Sequence, residues 1–293
     1  MHSGTQTRPG AGECVVVTPI YRLPLSPDES ISLAQLRRVL RRRPRTFVAP
    51  ESLEVPDAFL DGETIERVPD HFLADIAGYN RLLLSERFYR AFARWRHILV
   101  YQLDCLVFRD ELDHWCALGR DYCAAPWFAD FAPDTAGGLW AVGNGGFSLR
   151  RVASALRTLG TRTPRGRAYP MKRAAGEDGA AWTPSARPAR AGEYRERLGW
   201  YQRARSALSR WTVADEVTRF AFNEDLFWSL EAVKFDARFQ VASVEEALPF
   251  AFEMAPRWCF ERNRRRLPFG CHAWPRYDRA FWLAQLAAQE AGA

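Results

Sequence analysis

The sequence predicts an open α/β sheet, mixed but mostly parallel, flanked by helices and folded as a single domain. Short apolar runs rich in β-branched residues alternate with stretches of helical periodicity. The first strand, helix and strand follow one another at the spacing of a parallel βαβ unit. Acids and glycines then gather just past the ends of apolar runs, at the carboxyl edge where open α/β sheets carry their sites.

Residues 1–13 are expected to be a flexible tail ahead of a domain spanning 14–292. "CVVVTPIY" (14–21) reads as a buried strand closed by a proline. A helix follows with Ser26 or Asp28 as its cap, Pro27 in its first turn, and Ile31, Leu33, Leu36, Val39 and Leu40 on one stripe. "RTFVAPESL" is the second strand, and residues 70–96 are expected to be helical. "HILVYQLDCLVF" (97–108) is the third strand, and "DYCAAPWF" (121–128) the fourth. Between them Asp110 is placed to cap a short helix that Gly119 ends. "VGNGGFSLRR" is expected to turn on its glycines from strand to helix. Residues 160–200, rich in Arg, Pro, Gly and Ala, predict a mobile loop or insertion. "FNEDLFWSLEAVKF" is a helix with Leu226, Leu230 and Val233 on its buried stripe, and a last helix starts at Asp278.

With 47% hydrophobic and 26% charged residues, the chain has the apolar content for a real core and is not compositionally disordered. No apolar stretch approaches the roughly 20 residues that cross a bilayer, and no apolar signal core precedes the domain, so a cytoplasmic protein is expected. The six cysteines form no C-x-x-C pair, which argues against a structural zinc site, and a reducing compartment argues against disulfides. The charge of +6 is carried by arginine, Lys172 and Lys234 being the only lysines. The densest cluster, "LRRVLRRRPR" (36–45), fits the solvated face and last turn of a helix and lacks the aromatic residues of a nucleic-acid surface. Arginine-rich surfaces also leave peripheral contact with a membrane open.

Four stretches stand apart. Asp104 ends "ILVYQL", where an unpaired buried carboxylate would cost several kcal/mol, so it either caps a turn or faces a cleft. Gly145 and Gly146 either make a tight turn or let a ligand approach the backbone. Asn223, Glu224 and Asp225 make an ordinary helix start, or a pair of functional acids. His272 sits in the loop "LPFGCHAW".

Together with "VVVTPIY", "FVAPESL", "YNRLLLS" and "NEDLFWS", these stretches resemble an uncharacterised bacterial domain family that is glycosyltransferase-like, and more broadly the GT-A-type nucleotide-sugar glycosyltransferases. The resemblance runs from residue 15 to about residue 275, leaving out 160–200. It implies a GT-A-like, Rossmann-related fold. The implied activity moves a sugar from a nucleoside-diphosphate donor, of the UDP type above others, to the hydroxyl of a glycan or other acceptor, with inversion. Such transfer needs Mn²⁺ or Mg²⁺ to neutralise the diphosphate, and a general base for the hydroxyl. Asp104 takes the last acid of the D-x-D motif, Gln102 stands at its first position, and His272 resembles the late histidine that completes the metal shell. Thr18, Pro19 and Tyr21 would hold the nucleoside, with Asn144, Gly145, Gly146, Ser148 and Arg150 on the sugar and phosphates. Asp225 would be the base and Glu224 would contact acceptor hydroxyls; Trp127, Phe128 and Trp140 offer apolar platforms for sugar rings. Gln102 in place of an acid also fits an inactive relative that only binds a nucleotide sugar or glycan. An arginine-rich nucleic-acid binder is the remaining reading.

Overall fold

A computed structural model describes residues 12–129, 138–164 and 190–291. The expected N-terminal tail and the middle of the expected insertion therefore lie largely outside the described residues. Strand β1 (Gly12–Pro19) is buried from Cys14 to Thr18. Its alternate side chains feed two cores, Val15 and Val17 on one face of the sheet, Cys14 and Val16 on the other. Helix α1 (Pro27–Val39) starts at Ser26, not Asp28. The Glu29 N–H donates to the Ser26 hydroxyl at 3.3 Å, and the Glu29 carboxylate accepts from the Ser26 N–H at 2.7 Å. β2 (Arg45–Pro50) follows as expected. β3 (Thr64–Val68) is a mostly half-exposed edge strand whose weak apolar pattern gave no signal in the sequence.

The helical stretch expected over 70–96 divides into α2 (Ile76–Leu83) and α3 (Glu86–Ala91), because Ser85 caps a new helix start by accepting from the Phe88 N–H. β4 (Trp95–Tyr101) stops seven residues short of the end of the strand expected over 97–108; its continuation, β5 (Leu106–Val107), joins a different sheet. The cap position of α4 (Leu112–Ala117) is Glu111 rather than Asp110, whose carboxylate still accepts from the Leu112 N–H at 3.4 Å and also meets Arg43 at 2.8 Å. β6 (Tyr122–Cys123) and β7 (Pro126–Phe128) divide the fourth expected strand, and β8 (Leu139–Val142) pairs with β7. "FSLRR" is itself a strand, β9 (Phe147–Arg151), leading into α5 (Val152–Leu159).

The central sheet runs β3-β2-β1-β4-β9-β6. The first four strands are parallel, while β9 lies antiparallel to both β4 and β6. Since β1 leads outward to β2 and β3 while β4 lies on its other side, the order reverses at β1 and β4, the place where open α/β sheets hold ligands. A smaller sheet joins β10 (Ala251–Phe252), β11 (Gly270–Cys271) and β5. Residues 190–200, inside the expected insertion, are part of the folded body: Tyr194 and Leu198 are buried in the larger core. The stretch Glu224–Phe235 widens into a π-helix over Phe227–Glu231, so that all of Phe227–Ala232 is buried and no simple stripe survives. Among the described residues no helix is long and apolar enough to cross a membrane.

Candidate active site

β4 leaves the sheet at Tyr101, and the Gln102 N–H closes the ladder by donating to the Gly146 carbonyl at 2.9 Å. The chain then turns, with the Cys105 N–H bonded to the Gln102 carbonyl, and Asp104 emerges with 41% of its side chain exposed. The acid at the end of the apolar run therefore keeps much of its hydration. It faces a cleft of about 400 Å³ at the carboxyl ends of β1 and β4, lined among others by Pro19, Tyr21, Ile76, Tyr79 and Gln102. Tyr21, at the rim, is 56% exposed, an available face for a flat ligand.

The small sheet completes this corner. Antiparallel pairing of Cys271 with Leu106 sets the next residue, His272, beside Asp104, and parallel pairing of Phe252 with Cys271 sets Glu253 beside His272. The His272 Nε2 lies 3.4 Å from Asp104 Oδ1 and 3.2 Å from Gln102 Oε1. Its Nδ1 lies 3.2 Å from Glu253 Oε1 and 2.7 Å from the Asn144 amide nitrogen. Asn144 is locked in turn, since its Oδ1 accepts from the Gly146 N–H at 2.9 Å. Burial works against the imidazolium, but Asp104 and Glu253 outweigh it and lift His272 to about 9. Burial, followed by the charges of Glu224 and Glu253, pushes the half-buried Asp225 up to about 7.

A second, fully enclosed unit lies beneath Gly145. Arg150 pairs bidentately with Glu224 through two 2.7 Å bonds, and its remaining donors reach the Ser148 and Tyr89 hydroxyls and the Gly145 carbonyl. Both partners of the pair have only 2% of their side chains exposed. Burying a bidentate pair with its other donors satisfied makes a rigid support.

Several expected site residues are thereby reassigned. Pro19, Tyr21, Gln102 and Asp104 line the cleft, and His272 joins them through Gln102 and Asp104. Thr18 is buried inside β1, while Ser148, Arg150 and Glu224 face one another, so none of the last three is presented to a phosphate or a sugar. Asn144 is buried against His272 rather than reaching a sugar hydroxyl. The glycines are needed for internal packing: a Cβ on Gly145 would collide with Glu224, and one on Gly146 with His272. Trp127 and Phe128 are core residues rather than platforms, and Trp140 is half-buried. Asn223 occupies the cap position without a capping bond; its side chain instead accepts from the Asn80 amide at 3.2 Å. Glu253 was not legible as a site residue, because "FAFE" is an unremarkable strand end until β10 is laid beside β11.

A divalent cation fits this corner. The carboxylates of Asp104 and Glu253 touch one histidine, the charge of Asp225 also bears on it, and the guanidinium that bears on Asp225, Arg150, is already matched by Glu224. Asp104, Cys105 and His272 bring ligand atoms within 4.8 Å of one another. Of these Cys105 is the unsuitable one, since burial pushes its thiol well up and its S–H donates to the Gly146 carbonyl. Gln102 Oε1, 3.2 Å from His272 Nε2, could offer an oxygen in its place, for a mixed oxygen and imidazole set. The arginine cluster at 36–45, by contrast, is largely consumed by the fold: Arg37 and Arg45 bind Glu63, Arg38 binds Gln35, and Arg43 clasps Asp110 and Asp113.

The family model described as "Protein of unknown function (DUF5672)" matches residues 63–272, more than two thirds of the chain. No curated protein matches. Among solved structures, the mannosyltransferase Ktr4p from S. cerevisiae in complex with GDP aligns at 12% identity and a TM-score of 0.30, covering 43% of this chain and 43% of that one. The same mannosyltransferase in a second structure aligns at 15% identity and a TM-score of 0.29, covering 43% and 42%. The chain thus spans less than half the length of these structures.

Proposed function

We propose, from the premise that the chain belongs to the DUF5672 family, that it is a glycosyltransferase whose donor binds at the carboxyl ends of β1 and β4. One observation carries the reading. A cleft of nucleotide size ends at Asp104, beside a corner where two carboxylates hold a single histidine and the charge of a third, Asp225, bears on it. A nucleoside diphosphate entering there brings its base to Tyr21 and its phosphates to the acidic end, a placement that makes sense only with a cation between. Asp104, His272 and the Gln102 amide oxygen would hold that cation, Mn²⁺ or Mg²⁺. When bound, it supplies charge neutralisation of the departing diphosphate.

The chain's own residues do the remaining work. Glu253, accepting from Nδ1–H, fixes the His272 ring from behind. The Arg150–Glu224 pair props the Gly145–Gly146 turn, which abuts His272. Asp225, with a carboxyl held near neutrality, takes the acceptor proton as the acceptor oxygen bonds to the anomeric carbon and the bond to the diphosphate breaks. The donor is of the UDP-sugar type and the acceptor a glycan or other hydroxyl compound, with inversion at the anomeric centre.

Gln102 in place of an acid favours a second reading, a relative that binds the donor without transferring it. Thermal unfolding with UDP- and GDP-sugars, with and without Mn²⁺, tests both. Ligand at about 100 times its dissociation constant adds roughly 2.7 kcal/mol of stability. A shift that needs Mn²⁺ and disappears in Asp104→Ala supports the donor site. Binding without sugar transfer to any acceptor selects the inactive relative, and the absence of any shift sinks both.

A further inference from the structure

At the opposite, amino-terminal edge of the same two strands lies a cluster that the cleft does not use. Cys14 of β1 is in register with His97 of β4, Glu13 precedes Cys14, and Cys116 reaches them from α4. The ligand atoms of Glu13, His97 and Cys116 lie within 4.8 Å of one another. Tetrahedral donors about 2.0–2.3 Å from a zinc ion sit roughly 3.3–3.8 Å apart, so a modest contraction would close these three. The Cys14 thiol lies beside Cys116 but outside that group, and a turn of its side chain would bring it in as the fourth donor. His97 is 1% exposed, yet neither ring nitrogen makes a hydrogen bond, and Nδ1 stands 3.5 Å from Glu13 Oε1. A buried imidazole with no hydrogen bond on either nitrogen is costly and calls for an explanation.

We propose that Glu13, Cys14, His97 and Cys116 form a structural zinc-binding site that clamps α4 to the amino edge of the sheet. Two thiols, an imidazole and a carboxylate are a donor set that zinc accepts, and a closed set of four suits a structural rather than a catalytic ion. A Cys–His–Glu nucleophile is the competing use of these groups, but His97 and Cys116 are both buried beyond reach of a substrate. Glu13, the exposed member, gives the ion its way in. The absence of a C-x-x-C pair is no obstacle, because three separate elements deliver the donors.

The test is titration of the full, chelator-treated chain with Co²⁺, read by sulfur-to-cobalt charge-transfer absorption. One equivalent is expected to produce that band and tetrahedral visible absorption, and Zn²⁺ to abolish both. His272→Ala, which dismantles the other candidate metal corner, should keep the band, while Cys116→Ser and His97→Asn should lose it. Glu13→Gln, a rim substitution that leaves the core untouched, should keep the thiolate band but weaken cobalt binding by at least about tenfold, the smaller end of what a lost partner of a metal ligand costs. A wild-type chain that gives no sulfur band overturns the proposal. So does a band that persists in both Cys116→Ser and His97→Asn.

Discussion

Glu224→Gln separates a structural acid from a substrate-binding one. The Glu224 carboxylate makes two 2.7 Å bonds to Arg150, and both side chains are 2% exposed. Glutamine keeps the shape and one carbonyl acceptor, but turns an N–H-bearing amide toward the second guanidinium nitrogen and leaves the buried cation unneutralised. Removing one partner of a buried pair costs about 3–5 kcal/mol, and the retained acceptor places this substitution near the lower end. At roughly 2–4 °C per kcal/mol for a chain of this general size, Tm should fall on the order of 6–12 °C. Calorimetry or circular dichroism on the purified variant measures it. Arg150→Met should be comparably damaging, and the double variant should cost clearly less than the sum, because the two charges act as one unit. If Glu224 instead contacted acceptor hydroxyls, the glutamine variant would melt with the wild type and show only a raised KM for the acceptor. A Tm drop under about 2 °C would refute the buried-support assignment.

Asp225→Asn should fold normally, bind donor and lose transfer by at least about 10²-fold, the low end for a general base; near wild-type turnover would remove Asp225 from the reaction. The same carboxyl, raised from 3.8 to about 7, is destabilised as an anion in the folded state, so its contribution to stability falls as pH rises through that window. Asp225→Asn should therefore flatten the pH profile of Tm between those values. His272, raised from 6.5 to about 9, acts in the same sense at higher pH: its stabilisation is complete below 6.5 and is lost as pH rises through about 9. Because a cation must displace that proton, Mn²⁺ affinity measured by calorimetry should climb over the same range; a flat dependence would count against His272 as a ligand. Gly146→Ala should push the His272 ring away from Asp104 and weaken Mn²⁺-dependent donor binding, and unchanged binding would show that the ring has room to shift.

What the sequence determined by itself was local. β1, α1, β2 and β4 announced themselves because their periodicity, proline and serine signals act over a few residues, and Asp104 stood out because an acid ends a buried run. The two families of buried side chains in β1 likewise follow from simple alternation. β3 stayed hidden because an edge strand needs only a weak apolar pattern. Tertiary structure decided which polar residues meet one another. Gln102 and His272, 170 positions apart, touch because β5 and β11 pair in one register, and Glu253 arrives through β10. Arg150 and Glu224 are ordinary surface-type residues in the sequence, and only mutual burial converts them from ligand-binding candidates into a support. Glu13, Cys14, His97 and Cys116 carry no recognisable spacing for the same reason: adjacent strands and a helix, rather than neighbouring residues, bring their donors together. A side chain's type is fixed by the sequence, but its charge, hydration and partners depend on what the fold packs against it.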